Sequence, residues 1–238
     1  METKIPKIIH YTFKNNNLPQ EILKVIEENK RMCPNCEFRF YDDNACYEFI
    51  KNNFEPVVLD AYSKINPIYG AMKADFFRYC VLYKLGGVYI DIKTKLHVPI
   101  FSLIRPNDIC LLDIPKRIES FRKCAKPTYE QWLLIFAKGH PYLNSMINLM
   151  IHYIKHKYNP TRICKQIMNT KQKIMNITGP DAFAKAIYMS IFKQKNILHR
   201  HINYDKYFTR AGVSSYKQMY QINGIKHYSE YKEPLYIS

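Results

Sequence analysis

From Met72 to Leu85 the chain runs through fourteen residues without a glycine or proline, meets Gly86-Gly87, and enters Val88 to Leu96 (VYIDIKTKL), whose character alternates at every step. The first stretch carries a helical apolar pattern, and the glycine pair supplies a helix stop and a tight reversal. The alternating stretch has the period of a strand. Helix, reversal and strand in that order form a unit of layered α/β architecture and argue against an all-helical or all-β chain. On the strand reading, Val88, Ile90, Ile92, Thr94 and Leu96 share one face, and Tyr89, Asp91, Lys93 and Lys95 the other. Asp91 and Lys93 then point the same way, roughly 7 Å apart.

The flanking sequence repeats the alternation of strand and helix. Lys7 to Phe13 (KIIHYTF) is β-branched and aromatic and stops at Asn15-Asn16-Asn17, a turn signal. Pro19 opens a helix with Ile22, Leu23, Ile26 and Met32 at compatible spacing. Glu37 to Tyr41 reads as a strand, and Asp42-Asp43 supply the cap of a helix bearing Cys46, Phe49 and Ile50. Further on, Asp108 to Ile114 is a short apolar strand, and Pro141 leads a helix through Tyr153. Pro180, after Thr178-Gly179, opens a helix with Phe183, Ile187 and Ile191. Asn223-Gly224, between Met219–Ile222 and Ile225–Tyr228, is a hairpin signal. No repeat, low-complexity tract or linker divides the chain, so residues 1–238 are expected to form one domain.

Composition narrows the classes of function. With 238 residues, 47% of them hydrophobic, the chain has material for a packed core. No window reaches the eighteen or so apolar residues of a membrane span, and the N-terminus has no apolar region of signal-peptide type. A soluble, unsecreted protein is expected, and seven scattered cysteines fit a reducing compartment better than a disulfide scaffold. The charge is uneven: residues 1–119 carry 17 basic and 15 acidic side chains, residues 120–238 carry 19 and 5. A basic half interleaved with tyrosines (Tyr204, Tyr207, Tyr216, Tyr220, Tyr228, Tyr231) raises a nucleic-acid surface as an alternative class, but no nucleic-acid-binding motif accompanies it. A solvated face, or one that guides an anionic acceptor, accounts for the same charge.

The chemistry-bearing residues cluster around the helix-to-strand unit. Asp75 and Arg78 lie three residues apart on one helical face, a pairing suited to gripping a polar ligand or to a solvated ion pair. Cys33-Pro34-Asn35-Cys36 has zinc or redox spacing, but no second pair completes four ligands, so structural thiols are expected. His152 and His156 lack the glutamate of a metalloprotease helix, and a solvated face is expected. His199-Arg200-His201 alternates on a strand with no function attached.

Residues 74–96, ADFFRYCVLYKLGGVYIDIKTKL, resemble the core of the DXD-type sugar-binding glycosyltransferases of family 32, the group of the yeast initiating α-mannosyltransferases and capsular-polysaccharide transferases. That pattern is Asp-x-x-Arg, a helix, then Gly-Gly-(Ile/Val)-Tyr-x-Asp-x-Asp. The likeness continues through the opening strand Ile5–Phe13, where the family usually ends in Trp. It then takes in Phe40-Tyr41-Asp42-Asp43, Lys138-Gly139-His140-Pro141, Thr178-Gly179-Pro180 and His227. It implies a GT-A-type (Rossmann-like) α/β domain with a central mixed sheet flanked by helices. Residues 1–119 would be the nucleotide-sugar half and residues 120–238 the basic, acceptor-side half.

By the same resemblance, the activity is retaining transfer of a hexose-type sugar from a UDP-sugar, or secondarily a GDP-sugar, to a glycan or protein hydroxyl. Phe13 would stack on the donor base, with a core phenylalanine as the alternative. Asp75, Arg78 and Tyr89 would hold the donor, and Asp91 would be the first acid of the DXD motif. The second acid is replaced by Lys93, which places the usual manganese or magnesium ion in question. Three readings stay open: Lys93 clamps the diphosphate without a metal, a metal is held by Asp91 with His227 or Glu230, or the chain is a degenerate sugar-nucleotide binder. Asp91 and Lys93 are the expected catalytic pair, with no protein base required. A bacterial cytosol, or the cytoplasm of a cell infected by a large DNA virus, is the expected setting.

Overall fold

The computed structural model describes residues 3–115, 128–161, 168–194, 196–210 and 227–237. Strand β1 (Ile8–Thr12) is followed by helix α1 (Gln20–Met32), β2 (Glu37–Tyr41) and α2 (Asp43–Asn53), the last capped by the Asp42 carboxylate accepting from Ala45 N–H. Two further helices, α3 (Pro56–Ser63) and α4 (Gly70–Leu85), lead into β3 (Gly87–Ile90) and β4 (Thr94–Leu96). Next come β5 (Cys110–Asp113), β6 (Leu133–Phe136), α5 (Pro141–Lys155), α6 (Thr170–Ile177) and α7 (Pro180–Lys193). Strand β7 (Arg200–Ile202), the one-turn α8 (Tyr204–Tyr207) and β8 (Phe208–Arg210) complete the set.

Six strands form one mixed sheet in the order β2-β1-β3-β6-β5-β7. β1 pairs parallel with β2 and β3, whereas β6 runs antiparallel to both β3 and β5. Period-two alternation buries both faces of this sheet. Tyr89, Leu134, Phe136, Cys110 and Leu112 join the core under α4, α5 and α7. Ile9, Tyr11, Val88, Ile90, Leu133 and Ile135 join the opposite core with Ile22 and Ile26 of α1. The expected mixed sheet flanked by helices is therefore the architecture observed.

Helix α4 is not the one-sided amphipathic element its surroundings would suggest. Every residue from Asp75 to Leu82 is buried, because the helix is enclosed by neighbouring helices and the sheet. It ends at two glycines that both need positive φ, +68° at Gly86 and +97° at Gly87. A Cβ on Gly87 would stand 2.5 Å from the Ile8 carbonyl oxygen, so this glycine permits the close approach of β3 to β1.

The expected strand from Val88 to Leu96 is interrupted. β3 stops at Ile90, and a turn over 91–93 follows, closed by Thr94 N–H donating to the Asp91 carbonyl at 2.8 Å. β4 then leaves the main sheet and pairs antiparallel with β8, matching Thr94 to Arg210 and Leu96 to Phe208. Burial keeps its alternation through the turn: Ile92, Thr94 and Leu96 are buried, while Asp91 and Lys93 are half-buried. Strand geometry thus does not fix the relation of Asp91 to Lys93, although both remain on the more open side. The expected hairpin at Asn223-Gly224, together with Tyr216 and Tyr220, lies outside the described residues.

Candidate functional site

β1 and β3 run parallel, so their carboxyl ends emerge together, and the candidate residues gather there, where open α/β sheets present ligand groups. Arg78, on α4, is the hub. Its Nη2 lies 3.0 Å from Asp75 Oδ1 and 3.3 Å from Asp91 Oδ1, and its Nη1 donates to the Gln131 carbonyl at 2.7 Å. The guanidinium stacks over the Tyr89 ring at 4.7 Å, and Tyr89 Oη meets Thr12 Oγ1 at 2.7 Å. The reading of Asp75 and Arg78 as a solvated ion pair fails, since their side chains are only 13% and 8% exposed.

Burial pushes the Asp75 carboxyl up to about 6, against the pull of Arg78 and of the Thr178 hydroxyl, which donates to Asp75 Oδ2 at 2.9 Å; the neighbouring Asp91 adds to the rise. For Arg78 burial works against the charge, but Tyr89, Asp75 and Asp91 hold the guanidinium firmly protonated. Both terminal nitrogens meet protein partners, and Nε is buried without one. Arg78 therefore sits as a buried counter-charge between two carboxylates. Of the three charged groups Asp91 is the most open, with 27% of its side chain exposed. Tyr89 lies beneath Arg78 as a buried platform, and Phe13, half-buried at the end of β1, packs on the core beside α1.

Lys93 sits in the fields of both Asp91 and Arg210; burial lowers its affinity for the proton, Asp91 raises it and Arg210 lowers it. Its ammonium accordingly belongs to the same charged cluster as Asp91. His227 caps the short 3-10 turn Tyr228–Glu230, with Nδ1 at 2.7 Å from Ser229 Oγ. The residue this turn brings into the field of Asp75 and Asp91 is Tyr228, whose hydroxyl is pushed up to about 12, by burial first and by the two carboxylates second. Among the described residues no three His, Cys, Asp or Glu side chains are placed to hold a metal ion. One carboxylate already shared with Arg78 and facing Lys93 is a poor donor set for a divalent cation. No third such side chain joins Asp91 and His227, the expected metal ligands, among the described residues.

Three residues important here carried no local signal as partners of this cluster. Thr178 reads in sequence as a helix opener, Gln131 lies in an unremarked polar stretch, and Tyr228 is one tyrosine among many. Gln131 also donates to the Thr178 carbonyl at 3.4 Å and bonds the Tyr79 hydroxyl, closing a buried polar network around Asp75. The remaining motifs stay outside. Cys33 and Cys36 are free thiols whose affinity for the proton burial raises, to about 11 at Cys36. His152 and His156 are solvent-facing, and Arg200 is paired with Asp108.

Residues 19–110 match the family model described as "Glycosyltransferase sugar-binding region containing DXD motif". The chain is 32% identical over 143 residues to inositol phosphoceramide mannosyltransferase 3 of Schizosaccharomyces pombe, an alignment covering 60% of this chain and 36% of that protein. The chain thus spans little more than a third of that relative's length. Among solved structures, the PaToxG glycosyltransferase superposes with a TM-score of 0.56 at 15% identity, covering 93% of this chain and 79% of that one. The UDP-bound glycosyltransferase domain of the YGT toxin gives 0.53 at 10% identity, covering 83% and 79%. These two likenesses show a shared fold, the GT-A-type α/β layer arrangement.

Proposed function

We propose that the chain is a glycosyltransferase of the kind whose DXD-containing sugar-binding region residues 19–110 match, and that it moves a hexose-type sugar from a nucleoside-diphosphate donor to an acceptor hydroxyl. The observation that carries this reading is the Asp75–Arg78–Asp91 cluster at the carboxyl ends of β1 and β3, two carboxylates aimed by one buried guanidinium. Paired carboxylates accept hydrogen bonds from the hydroxyls of a sugar or ribose, and a preset orientation lowers the entropy cost of binding. Phe13 supplies an aromatic face for the base at the edge of the same sheet end. UDP is the first base carrier to test and GDP the second; mannose is favoured as the sugar by the names of the relatives.

In the transfer, the bond from the anomeric carbon to the departing phosphate oxygen breaks, and a bond from that carbon to the acceptor oxygen forms on the same face, so configuration is retained. The acceptor's proton passes to the departing diphosphate, which removes the need for a protein base. Charge develops on that diphosphate, and Lys93 is the cation beside Asp91 that offsets it. In relatives with two acids this task would fall to a divalent ion; here the described donor set favours Lys93, and no step is assigned to a metal.

The test is release of nucleoside diphosphate and transfer of labelled sugar by the purified protein, with EDTA and with manganese. Activity that survives EDTA, and falls at least a hundredfold in Lys93→Ala, supports the reading. Strict dependence on manganese removes Lys93 as the phosphate clamp. Nucleotide binding without turnover under any condition favours a degenerate binder.

A further inference from the structure

Helix α7 leaves apolar side chains in water. Positions 185, 189, 192 and 193 share one helical face, and Lys185, Met189, Phe192 and Lys193 are all exposed there. Phe192 is 89% exposed, and Leu198, just beyond the helix, 70%. Single exposed apolar residues are ordinary on a protein surface, but these gather around one point. Ser190 Oγ, in the last turn of α7, lies 2.6 Å from Ser145 Oγ and 3.5 Å from the Pro141 carbonyl oxygen, both in the opening half of α5. The Tyr142 hydroxyl meets His199 Nδ1 at 2.8 Å, which holds the residue after Leu198 against the same end of α5. Met189, Phe192 and Leu198 therefore adjoin the start of α5 together.

The charge around them is of one sign. Lys138, three residues before α5, is exposed, and so are Lys4 and Lys7. Gly86 joins these segments: a Cβ there would stand 2.7 Å from the Lys138 backbone nitrogen and 2.9 Å from Pro6 Cδ. With Lys193 they make four exposed ammonium groups at the amino ends of β1 and β3, and among the described residues none of the four forms an ion pair. The acids at this end are already matched, Asp108 with Arg200 at 2.5 Å and Glu37 with Arg39 at 2.6 Å. Projecting apolar side chains among unpaired lysines match the boundary of an anionic bilayer, where the former enter the acyl layer and the latter meet headgroup phosphates and carboxylates. A second copy of the chain on the same patch would set lysine against lysine across a two-fold axis.

We propose that this end of the molecule docks on an anionic phospholipid surface, with Met189, Phe192 and Leu198 entering the bilayer and Lys4, Lys7, Lys138 and Lys193 meeting its headgroups. No helix among the described residues is long and apolar enough to cross a membrane, and surface docking requires none. Helix α7 sets the spacing. It runs fourteen residues, about 21 Å, from Pro180, close behind the Thr178 that bonds Asp75, to Lys193 at the patch. The Asp75–Arg78–Asp91 cluster thus stands at the end of the sheet away from the bilayer, and the inference holds whatever reaction occurs there.

The experiment floats the purified protein with vesicles of phosphatidylcholine alone and of phosphatidylcholine with about 30% phosphatidylserine. The expected result is saturable binding to the anionic vesicles only, lost as salt is raised. Binding should weaken at least tenfold in the double variant Phe192→Ser with Leu198→Ser, and as much in Lys138→Glu with Lys193→Glu. All four positions are exposed, and melting temperatures within a few degrees of the parent establish that the variants fold. Phe192→Trp reports the orientation: its emission should be quenched by lipids brominated on the acyl chain, whereas the parent, whose single tryptophan is the buried Trp132, should be unaffected. No binding to anionic vesicles, binding undiminished in both double variants, or an unquenched Phe192→Trp overturns the proposal. So does a dimer seen by sedimentation and abolished by Phe192→Ser in the absence of any vesicle binding, which assigns the patch to a second copy of the chain.

Discussion

Replacing Arg78 with methionine removes the guanidinium while keeping much of the side chain's volume. The consequence is calculable because every partner is known. Asp75 and Asp91 lose their shared cation at 3.0 and 3.3 Å, and the Gln131 carbonyl loses its donor at 2.7 Å. Breaking a buried ion pair from one side costs about 3–5 kcal/mol, since the remaining charge stays desolvated. For a chain of this size each kcal/mol corresponds to roughly 2–4 °C, so thermal unfolding at pH 8 should fall by about 6–20 °C.

The loss carries a pH signature. Asp75 already sits at about 6 because burial outweighs Arg78 and Thr178, and without Arg78 it rises further. A carboxyl whose native pKa is raised holds its proton where the unfolded chain has released it, so stability falls as pH climbs through that window. The deficit of Arg78→Met relative to the parent should therefore shrink from pH 8 to pH 5. Adding Asp75→Asn, which removes the stranded charge, should recover part of the loss at pH 8. Circular dichroism melts of the parent, the two single variants and the double variant measure both effects. A deficit under 2 °C at pH 8, or one as large at pH 5 as at pH 8, would refute the view of Arg78 as the buried hub.

Other outcomes follow from the same geometry. Donor affinity should weaken as pH drops from 7.5 to 5, because Asp75 protonates near 6 and ceases to accept from donor hydroxyls from both oxygens; isothermal titration across that range should show the midpoint, and Asp75→Asn should flatten the curve. Lys93→Asp rebuilds a second acid beside Asp91, so sugar transfer by that variant should need manganese, whereas the parent enzyme should withstand EDTA; a parent abolished by EDTA contradicts the assignment. Gly87→Ala forces a side chain onto a backbone at φ +97° and to within 2.5 Å of the Ile8 carbonyl, and should cost at least about 2 kcal/mol in denaturant unfolding.

Much of the layered fold is legible from local pattern. The Asp42 cap, the β-branched run of β1 and the proline openings of α5 and α7 each state their element within a few residues. The pairing of Asp75 with Arg78 is equally visible, because helical spacing decides it. Burial of that pair is not visible: it arises from α5, the sheet and the Thr178 turn closing over α4, which are contacts far apart in sequence. The break after Ile90 escaped for a different reason. Inward and outward residues keep alternating through the 91–93 turn, so the hydrophobic pattern reads as one strand while the ladder moves to a second sheet.

Calorimetric titration of the purified protein with UDP- and GDP-hexoses, in EDTA and with the Asp75→Asn variant alongside, tests most directly whether the Asp75–Arg78–Asp91 cluster is a sugar-nucleotide site. One donor should bind saturably in EDTA, with affinity reduced at least tenfold in the variant, equivalent to about 1.4 kcal/mol. No binding by any sugar nucleotide with or without manganese, or undiminished affinity in Asp75→Asn, would contradict it.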